Sequence, residues 1–296
     1  MKSKTREGIQ GYGFMLPALI ILGVFFIFPI GYAIFLSFTR VSLMGGMEFD
    51  WVGIRNYQIA INDERVWAAL RNTVRYVIFV VPTQTIVALV MASVLNSGVR
   101  FQKTFRTIYF LPTLTSSAAL TMIFMFLFSI NGPLNAFLMD WNLIQAPINF
   151  VEDINFALNT IMVMNIWSTV PLYMTIYLAG LQDIPPAIYE AAGIDGANAW
   201  QKLTKITVPN IAPVTSYVVV IGLIGCFQVF DQAYIVSGGT GGPSNATLTM
   251  TMVIYQYAFR VTGTMGYASA LAILLTIIIF VVSIAAKKLN REDRLS

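Results

Sequence analysis

Long apolar runs separated by polar segments set the pattern of this chain. Six of them are long enough to cross about 30 Å of hydrocarbon as helices, at about 1.5 Å per residue. They occupy residues 13–38, 73–95, 106–130, 156–180, 211–236 and 266–286. The runs are continuous rather than alternating at every second residue, which favours helices over the strands of a membrane barrel. The pattern therefore predicts an all-α polytopic membrane protein with six transmembrane helices.

The polar segment 183–209 predicts a hairpin of two short helices between the fourth and fifth runs. Asp183 can cap the first helix, whose first turn accepts the two prolines that follow. Gly196 permits a tight turn. Asn198, followed three residues later by Gln201, has the spacing of a capping box at the start of the second helix. That helix is predicted to carry three apolar residues on about one side: Trp200, Leu203 and Ile206.

Composition excludes several classes of protein. With 57% hydrophobic and 11% charged residues, the chain is too apolar for a soluble domain of 296 residues. The first run follows a basic N-terminus as a signal peptide would, but it is about 25 residues long and lacks a small-x-small cleavage site, so we predict a retained anchor. The chain has no histidine, which excludes His-based general bases, His-containing triads and HExxH zinc sites. We predict no catalytic residue and no metal site, and the single Cys226 cannot form an intrachain disulfide.

The distribution of basic residues predicts the orientation in the membrane. Of the 18 basic residues, most lie at the termini and in the second and fourth loops, as they do on the cytoplasmic side of membrane proteins. They are Lys2, Lys4, Arg6, Arg100, Lys103, Arg106, Lys202, Lys205, Lys287, Lys288, Arg291 and Arg294. Both termini are therefore predicted to be cytoplasmic, and we interpret the clusters as topology signals that meet membrane lipid rather than nucleic acid. The loop 40–72 is predicted to form a small ordered cap outside, although its aromatic residues are equally typical of a membrane interface.

The hairpin segment also carries a run of specific residues. Glu190-Ala191-Ala192 is followed by Gly196, Ile206 and Pro209 at the spacing of the EAA loop in permease subunits of ATP-binding-cassette (ABC) importers, which this segment resembles. Val208 stands where that family usually has Leu, and this exchanges one branched apolar side chain for another. The resemblance implies that cytosolic ATPases dock on this hairpin. The implied docking residues are Glu190, Ala191, Ala192, Asp195, Gly196 and Ala197.

A second run comprises residues 230–236, Gly241-Gly242-Pro243, Tyr255 and Phe259. It resembles the maltose-type and glycerol-3-phosphate-type permeases of carbohydrate importers, and the likeness extends over about 70–286. The resemblance implies a type I ABC importer transmembrane fold in the cytoplasmic (inner) membrane, in a subunit that translocates a sugar or oligosaccharide. It implies as partners a second homologous permease, two ATPase subunits and an extracytoplasmic solute-binding protein. No cofactor is implied for this chain, since the partner subunits bind ATP.

On this basis we divide the chain into four segments. Residues 1–12 form a cytoplasmic N-terminus, and 13–65 form the first transmembrane helix with an extracytoplasmic loop. Residues 66–286 form the ABC importer transmembrane core, which contains the EAA loop at 183–209. Residues 287–296 form a cytoplasmic tail.

Polar side chains inside the apolar runs are candidates for the substrate path, because such groups face a partner helix or a wet cavity rather than lipid. Two groups stand at helical spacing: Asn165, Thr169 and Tyr173 in the fourth run, and Gln228, Asp231 and Gln232 in the fifth. They offer the donors and acceptors that a sugar's hydroxyls need. Asn165 and Gln228 also resemble sugar-contacting positions of maltose-type permeases. The alternative is that these residues hold helices together, at about 0.6 kcal/mol each.

Two rival functions remain from the sequence. An ion-coupled secondary transporter acting alone would use Asp231 as its ion site, but one carboxylate without partner cations or internal repeats gives it little support. An intramembrane enzyme would need histidine or paired carboxylates in the spans. The sequence leaves the substrate open, since monosaccharide, oligosaccharide and glycerophosphate importers share these features.

Overall fold

The computed structural model describes residues 14–42, 48–97 and 102–292. The predicted cytoplasmic N-terminus, residues 1–12, lies outside the described residues. So do five of the basic residues used for topology: Lys2, Lys4, Arg6, Arg100 and Arg294.

Helices make up most of the described chain. Helix α1 spans Phe14–Ser37 and contains a π-helical stretch, Gly23–Ile27. The other elements are, in order, β1 (Thr39–Ser42), β2 (Glu48–Trp51), α2 (Arg55–Asn62), α3 (Glu64–Asn96), α4 (Gln102–Leu114), α5 (Ser117–Leu127), α6 (Pro133–Asp140), α7 (Ala157–Gln182), α8 (Pro186–Ile194), α9 (199–210, with a π-helical stretch at Lys202–Thr207), α10 (Ala212–Phe227), α11 (Asp231–Val236), α12 (Met250–Phe259) and α13 (Met265–Glu292).

Five of the six predicted spans are confirmed as helices long and apolar enough to cross a membrane. They are Phe14–Ser37, Glu64–Asn96, Ala157–Gln182, Ala212–Val236 and Met265–Lys288. The third run is not one straight helix, because Thr104–Leu114 and Ser117–Leu127 meet at 98°. Ser116 accepts the backbone N–H of Ala119 at 3.3 Å and so starts a new helix there. Pro112, which cannot donate a backbone hydrogen bond, lies just before the break. The described chain therefore has up to six candidate spans if the bent pair is counted as one.

One compact unit combines Met1–Asp63 with Ile254–Leu274. Its β1–β2 hairpin is antiparallel, with Arg40 opposite Asp50. Asn56 on α2 fixes the start of this hairpin, since its side-chain amide donates to the backbone oxygens of Ser37 at 2.8 Å and Thr39 at 3.0 Å. The predicted ordered cap therefore exists, but it is smaller than 40–72, because α3 begins at Glu64 and takes the last residues of that range.

The second unit combines Glu64–Val253 with Leu275–Ser296. Its core lies where α3 packs along α7, and Ala88 and Ala92 on α3 are fully buried beside Met174 and Tyr177 on α7. Small side chains at such positions let two helix backbones approach closely, as is common in membrane bundles. Pro82 lies inside the continuous helix α3, so proline alone does not decide where a span breaks.

Candidate docking hairpin and intramembrane polar residues

The hairpin α8–α9 begins differently from the prediction. Helix α8 starts at Pro186 with Pro185 as its N-cap residue, and no side chain caps it. The prediction that Asp183 caps this helix is wrong, because Asp183 closes the preceding helix α7 as its C-cap residue. The missing cap costs little, since proline has no N–H at the first helical position and the Ile188 N–H donates to the Pro185 oxygen at 3.1 Å.

The turn between the two helices follows the predicted chemistry. Gly196 has φ +76°, a conformation that side chains disfavour. The Ala197 N–H donates to the Ala192 oxygen at 2.9 Å, which closes the end of α8. The predicted capping box is confirmed: Asn198 Oδ1 accepts the Gln201 N–H and Gln201 Oε1 accepts the Asn198 N–H, both at 2.9 Å. These local bonds fix the angle between the helices.

Helix α9 departs from regular α-helical spacing over its π-helical stretch Lys202–Thr207. Its three apolar side chains therefore differ in exposure: Trp200 is 71% exposed, whereas Leu203 and Ile206 are half-buried. A contact between the Tyr189 hydroxyl and Thr207 Oγ1, 3.0 Å apart, links the two helices. A hydrogen bond between its two helices therefore braces the hairpin, and the Trp200 side chain lies on its surface.

The predicted docking residues lie on an open surface. No residue of α8 is buried, and Ile194 at its end is 88% exposed. Four of the six docking candidates are exposed and two are half-buried: Glu190, Ala191, Asp195 and Gly196, then Ala192 and Ala197. A large exposed aliphatic and a large exposed aromatic side chain on one small element are typical of a protein-binding surface.

The candidate residues of the fourth run lie in a packed seam between helices. Thr169 Oγ1 is 2.9 Å from Gln84 Oε1 on α3, and Gln84 is fully buried. Tyr173 is also buried, and Asn165 Oδ1 is buried without a hydrogen-bond partner among the described residues. The seam is closed on a third side by α10, where a Cβ at Gly222 would lie 2.6 Å from Gln84 Nε2. This packing favours the alternative that the stripe holds α7 against α3, and its role in the substrate path stays a prediction.

The candidates of the fifth run lie at a short interruption within the span Ala212–Val236, which confirms the predicted crossing at 211–236. Helix α10 ends at Phe227 and α11 begins at Asp231. The backbone oxygen of Val229, freed by the break, accepts from Thr249 Oγ1 at 3.0 Å, and Thr251 Oγ1 also points to it. Hydroxyl groups thus replace the lost helical hydrogen bond, as broken spans require.

The three polar candidates of the fifth run lie at or next to the break between α10 and α11, and they differ in exposure. Gln228 and Asp231 are exposed and Gln232 is half-buried. Their exposure leaves these side chains able to meet a ligand, unlike those of the seam. The backbone there is irregular, which membrane proteins tolerate where it is buried in protein or lines a cavity.

Sequence reasoning missed two members of the seam. Gln84 and Tyr76 on α3 are both fully buried. Both lie within the second apolar run, eight residues apart, so the spacing that singled out the stripe on α7 could have found them. Within the described ranges, no group of three or more Cys, Asp and Glu side chains could hold a metal ion.

A double-mutant cycle separates a packing role for the seam from a path role. We expect Gln84→Leu and Thr169→Val to show a coupling of about 0.6 kcal/mol in unfolding of the purified protein, with KM for uptake changed less than about twofold. Thr175→Val is the matched control, since Thr175 is exposed on the same helix and, among the described residues, its hydroxyl bonds only to the Pro171 oxygen of its own helix. A raised KM with no coupling would instead assign Thr169 to the path.

Comparison with known proteins identifies the family. The family described as binding-protein-dependent transport system inner membrane component matches residues 84–293. The chain is 34% identical to the lactose transport system permease protein LacF of Rhizobium radiobacter, over 98% of this chain and 97% of the relative. It is 34% identical to the arabinooligosaccharides transport system permease protein AraP of Bacillus subtilis, over 94% and 88%. It is 31% identical to the trehalose/maltose transport system permease protein MalF of Thermococcus litoralis, over 99% and 97%.

A solved structure shares the fold. A chain of the bacterial alginate ABC transporter in complex with alginate pentasaccharide-bound periplasmic protein aligns with a TM-score of 0.82 at 22% identity, over 99% of this chain and 97% of that one. The family match covers most of the chain, and the relatives align along nearly all of it. The chain therefore belongs to the inner membrane components of binding-protein-dependent transport systems, as a multi-pass permease subunit with the type I ABC importer fold and not an enzyme.

Proposed function

We propose that this permease moves a sugar or oligosaccharide across the cytoplasmic membrane, driven by ATPase subunits that dock on the hairpin α8–α9. The observation that carries the proposal is the open, braced hairpin itself, whose Glu190, Ala191, Ala192 and Gly196 stand at the spacing of the EAA loop. The substrate class is supported by relatives whose names specify lactose, arabinooligosaccharides and trehalose/maltose transport.

Each docking residue has a physical role in this proposal. The exposed Glu190 carboxylate pairs with a basic ATPase residue, and the small Ala191 and Ala192 side chains allow close approach. Gly196 sets the angle of the hairpin, with Asp195 and Ala197 on either side of it. The ATPases bind the nucleotide, so the permease needs no cofactor of its own.

The coupling works through a contact that persists while the spans exchange two packings. ATP-driven closure of the two ATPases pulls on the EAA loop, 183–209, and moves the transmembrane core, 66–286, from inward-open to outward-open. A second homologous permease completes the path, and a solute-binding protein delivers the cargo from outside. In this arrangement the terminal segments, residues 1–12 and 287–296, are cytoplasmic, and 13–65 carries the first span and the outer loop.

The path proposal centres on the break between α10 and α11. The exposed amide of Gln228 and carboxylate of Asp231 offer both donors and acceptors to a sugar's hydroxyl groups, with Gln232 beside them. The stripe Asn165, Thr169 and Tyr173 contributes to the path only if the seam opens in another state, since it is packed against Gln84 in this one.

Reconstitution into liposomes tests the proposed function. The permease, its companion, both ATPases and the loaded solute-binding protein should accumulate labelled disaccharide only with ATP, and omission of the ATPases should remove uptake. An imposed proton or sodium gradient should have no effect. Uptake by the permease alone under an ion gradient would support the secondary transporter with Asp231 as its ion site, and would reject this proposal.

A further inference from the structure

A cavity of about 450 Å³ lies within the unit formed by the β1–β2 hairpin, α2 and Ile254–Leu274. Its lining includes Arg40 on β1, Arg55 on α2, and the tyrosines Tyr257 and Tyr267. Cavities of a few hundred Å³ are the size that takes a small ligand or a protruding loop. No role in transport proposed above uses this cavity.

Two tyrosines and one carboxylate in the cavity lining are joined to one another. Both tyrosine hydroxyls, of Tyr257 and Tyr267, donate to Asp63 Oδ2 at 2.9 Å. Their rings also pack edge to face, with centroids 4.9 Å apart. The carboxylate of Asp63 already accepts hydrogen bonds from two tyrosines of its own unit. The charge that the cavity offers to a ligand therefore depends on its other charged residues.

Those residues are two arginines. Arg40 and Arg55 are both exposed, and neither guanidinium has a hydrogen bond or an ion pair with the portion of the chain that the structure describes. Asp50 lies directly opposite Arg40 in the hairpin, but in the described part of the chain the two side chains form no ion pair. Two guanidinium groups that share a cavity can hold a carboxylate through paired N–H donors.

The surface around the cavity has the composition of a protein interface. Trp51, at the end of β2, is 68% exposed and stacks on Phe38, and Ile54 is 61% exposed. Tryptophan and arginine are the residue types that contribute most to binding energy at protein interfaces. Trp51 and Ile54 are the chain neighbours of Val52 and Arg55, which line the cavity, and exposed apolar residues next to a basic cavity favour a folded protein over a small anion.

We propose that this cavity is a docking site for an acidic side chain of the extracytoplasmic solute-binding protein, held by Arg40 and Arg55. The inference rests on the proposed function, which places this unit outside the cytoplasm and gives it such a partner. Docking by complementary charge speeds encounter and fixes register, so association weakens as salt screens the charges.

The test measures binding of the cognate solute-binding protein to the complete transporter in nanodiscs. Arg40→Gln combined with Arg55→Gln should weaken the affinity about tenfold to a hundredfold and flatten its salt dependence. Arg71→Gln is the matched control, because Arg71 is exposed, loses the same charge and lies outside the cavity. It should change the affinity less than about twofold. Elution of each variant with its ATPases as one complex verifies folding.

Three outcomes decide the proposal. An affinity within twofold of wild type for the double variant would overturn it, while the proposed transport function would stand. Recovery of binding when Arg55→Glu is paired with an acidic-to-arginine change on the binding protein would confirm the contact. Binding of free galacturonate to the transporter without the binding protein, lost in the double variant, would show that a cargo carboxylate is the occupant and would also overturn it. Failure of the wild-type transporter to bind any ATPase would count against the proposed function itself.

Discussion

Gly196→Pro should abolish uptake and the association of the ATPases. Gly196 has φ +76°, whereas proline fixes φ near −65°, so the turn of the hairpin cannot form. The substitution also removes the Gly196 N–H, which donates to the Gly193 oxygen at 3.2 Å. A local cost of about 3 kcal/mol corresponds to a loss of more than about a hundredfold in association. Co-elution of the ATPases and ATP-dependent uptake measure the effect.

Gly196→Asn is the matched control at the same position. Asparagine tolerates the left-handed conformation better than other side chains, and a Cβ at Gly196 meets no atom within 4 Å. We expect this conformation to cost asparagine about 1 kcal/mol or less, which corresponds to less than about a tenfold change in the affinity for the ATPases. Full ATPase association with Gly196→Pro would contradict the role given to the hairpin angle, whatever the control shows.

Gly266→Ala should destabilise the unit that contains the cap. A Cβ at Gly266 would lie 1.9 Å from the Thr39 oxygen and 2.8 Å from the Leu36 oxygen, and neither backbone atom can rotate away. Overpacking of this kind costs about 1–3 kcal/mol or more, which outweighs the 0.5–1 kcal/mol or so that alanine normally gains over glycine in a helix. We expect a clear fall in the apparent Tm of the purified protein.

Gly225→Ala is the control that separates steric overlap from the general effect of replacing a helical glycine by alanine. Gly225 also lies inside a helix, α10, but a Cβ there meets nothing within 4 Å. Its Tm should therefore stay the same or rise slightly, because only the gain in helix propensity remains. Equal Tm values for the two variants would show that Gly266 does not lie as close to the Thr39 oxygen of β1 in the purified protein as it does in this structure.

The sequence was most informative where local chemistry decides structure. The hairpin α8–α9 depends on bonds between near neighbours, such as the capping box of Asn198 and Gln201 and the turn at Gly196, so its form could be predicted. The apolar runs likewise predicted the spans, since hydrocarbon thickness sets their length. The prediction that Asp183 caps α8 is wrong, because the two prolines at the start of that helix make a side-chain cap unnecessary.

The remaining features depend on contacts between distant regions of the chain. The break at 228–230 is stabilised by Thr249, about twenty residues away, and Gln84 meets Thr169 at a separation of 85 residues. The cavity of the cap joins β1 and α2 to residues near 260. A single sequence shows periodicity within a segment, so spacing could mark Gln84 and Tyr76 as candidates. It does not show which segments pack together, so neither the contact of α3 with α7 nor the cavity could be found from spacing alone.

The central claim is that an ATPase grips the hairpin α8–α9 from the cytosol, and labelling of one residue tests it most directly. Ile194, 88% exposed at the tip of α8, is changed to cysteine in a Cys226→Ser background, which leaves a single thiol. We predict that a membrane-impermeant maleimide labels this thiol in inside-out vesicles only, and that bound ATPases prevent the labelling. Labelling in right-side-out vesicles, or labelling that bound ATPases leave unchanged, would contradict the account.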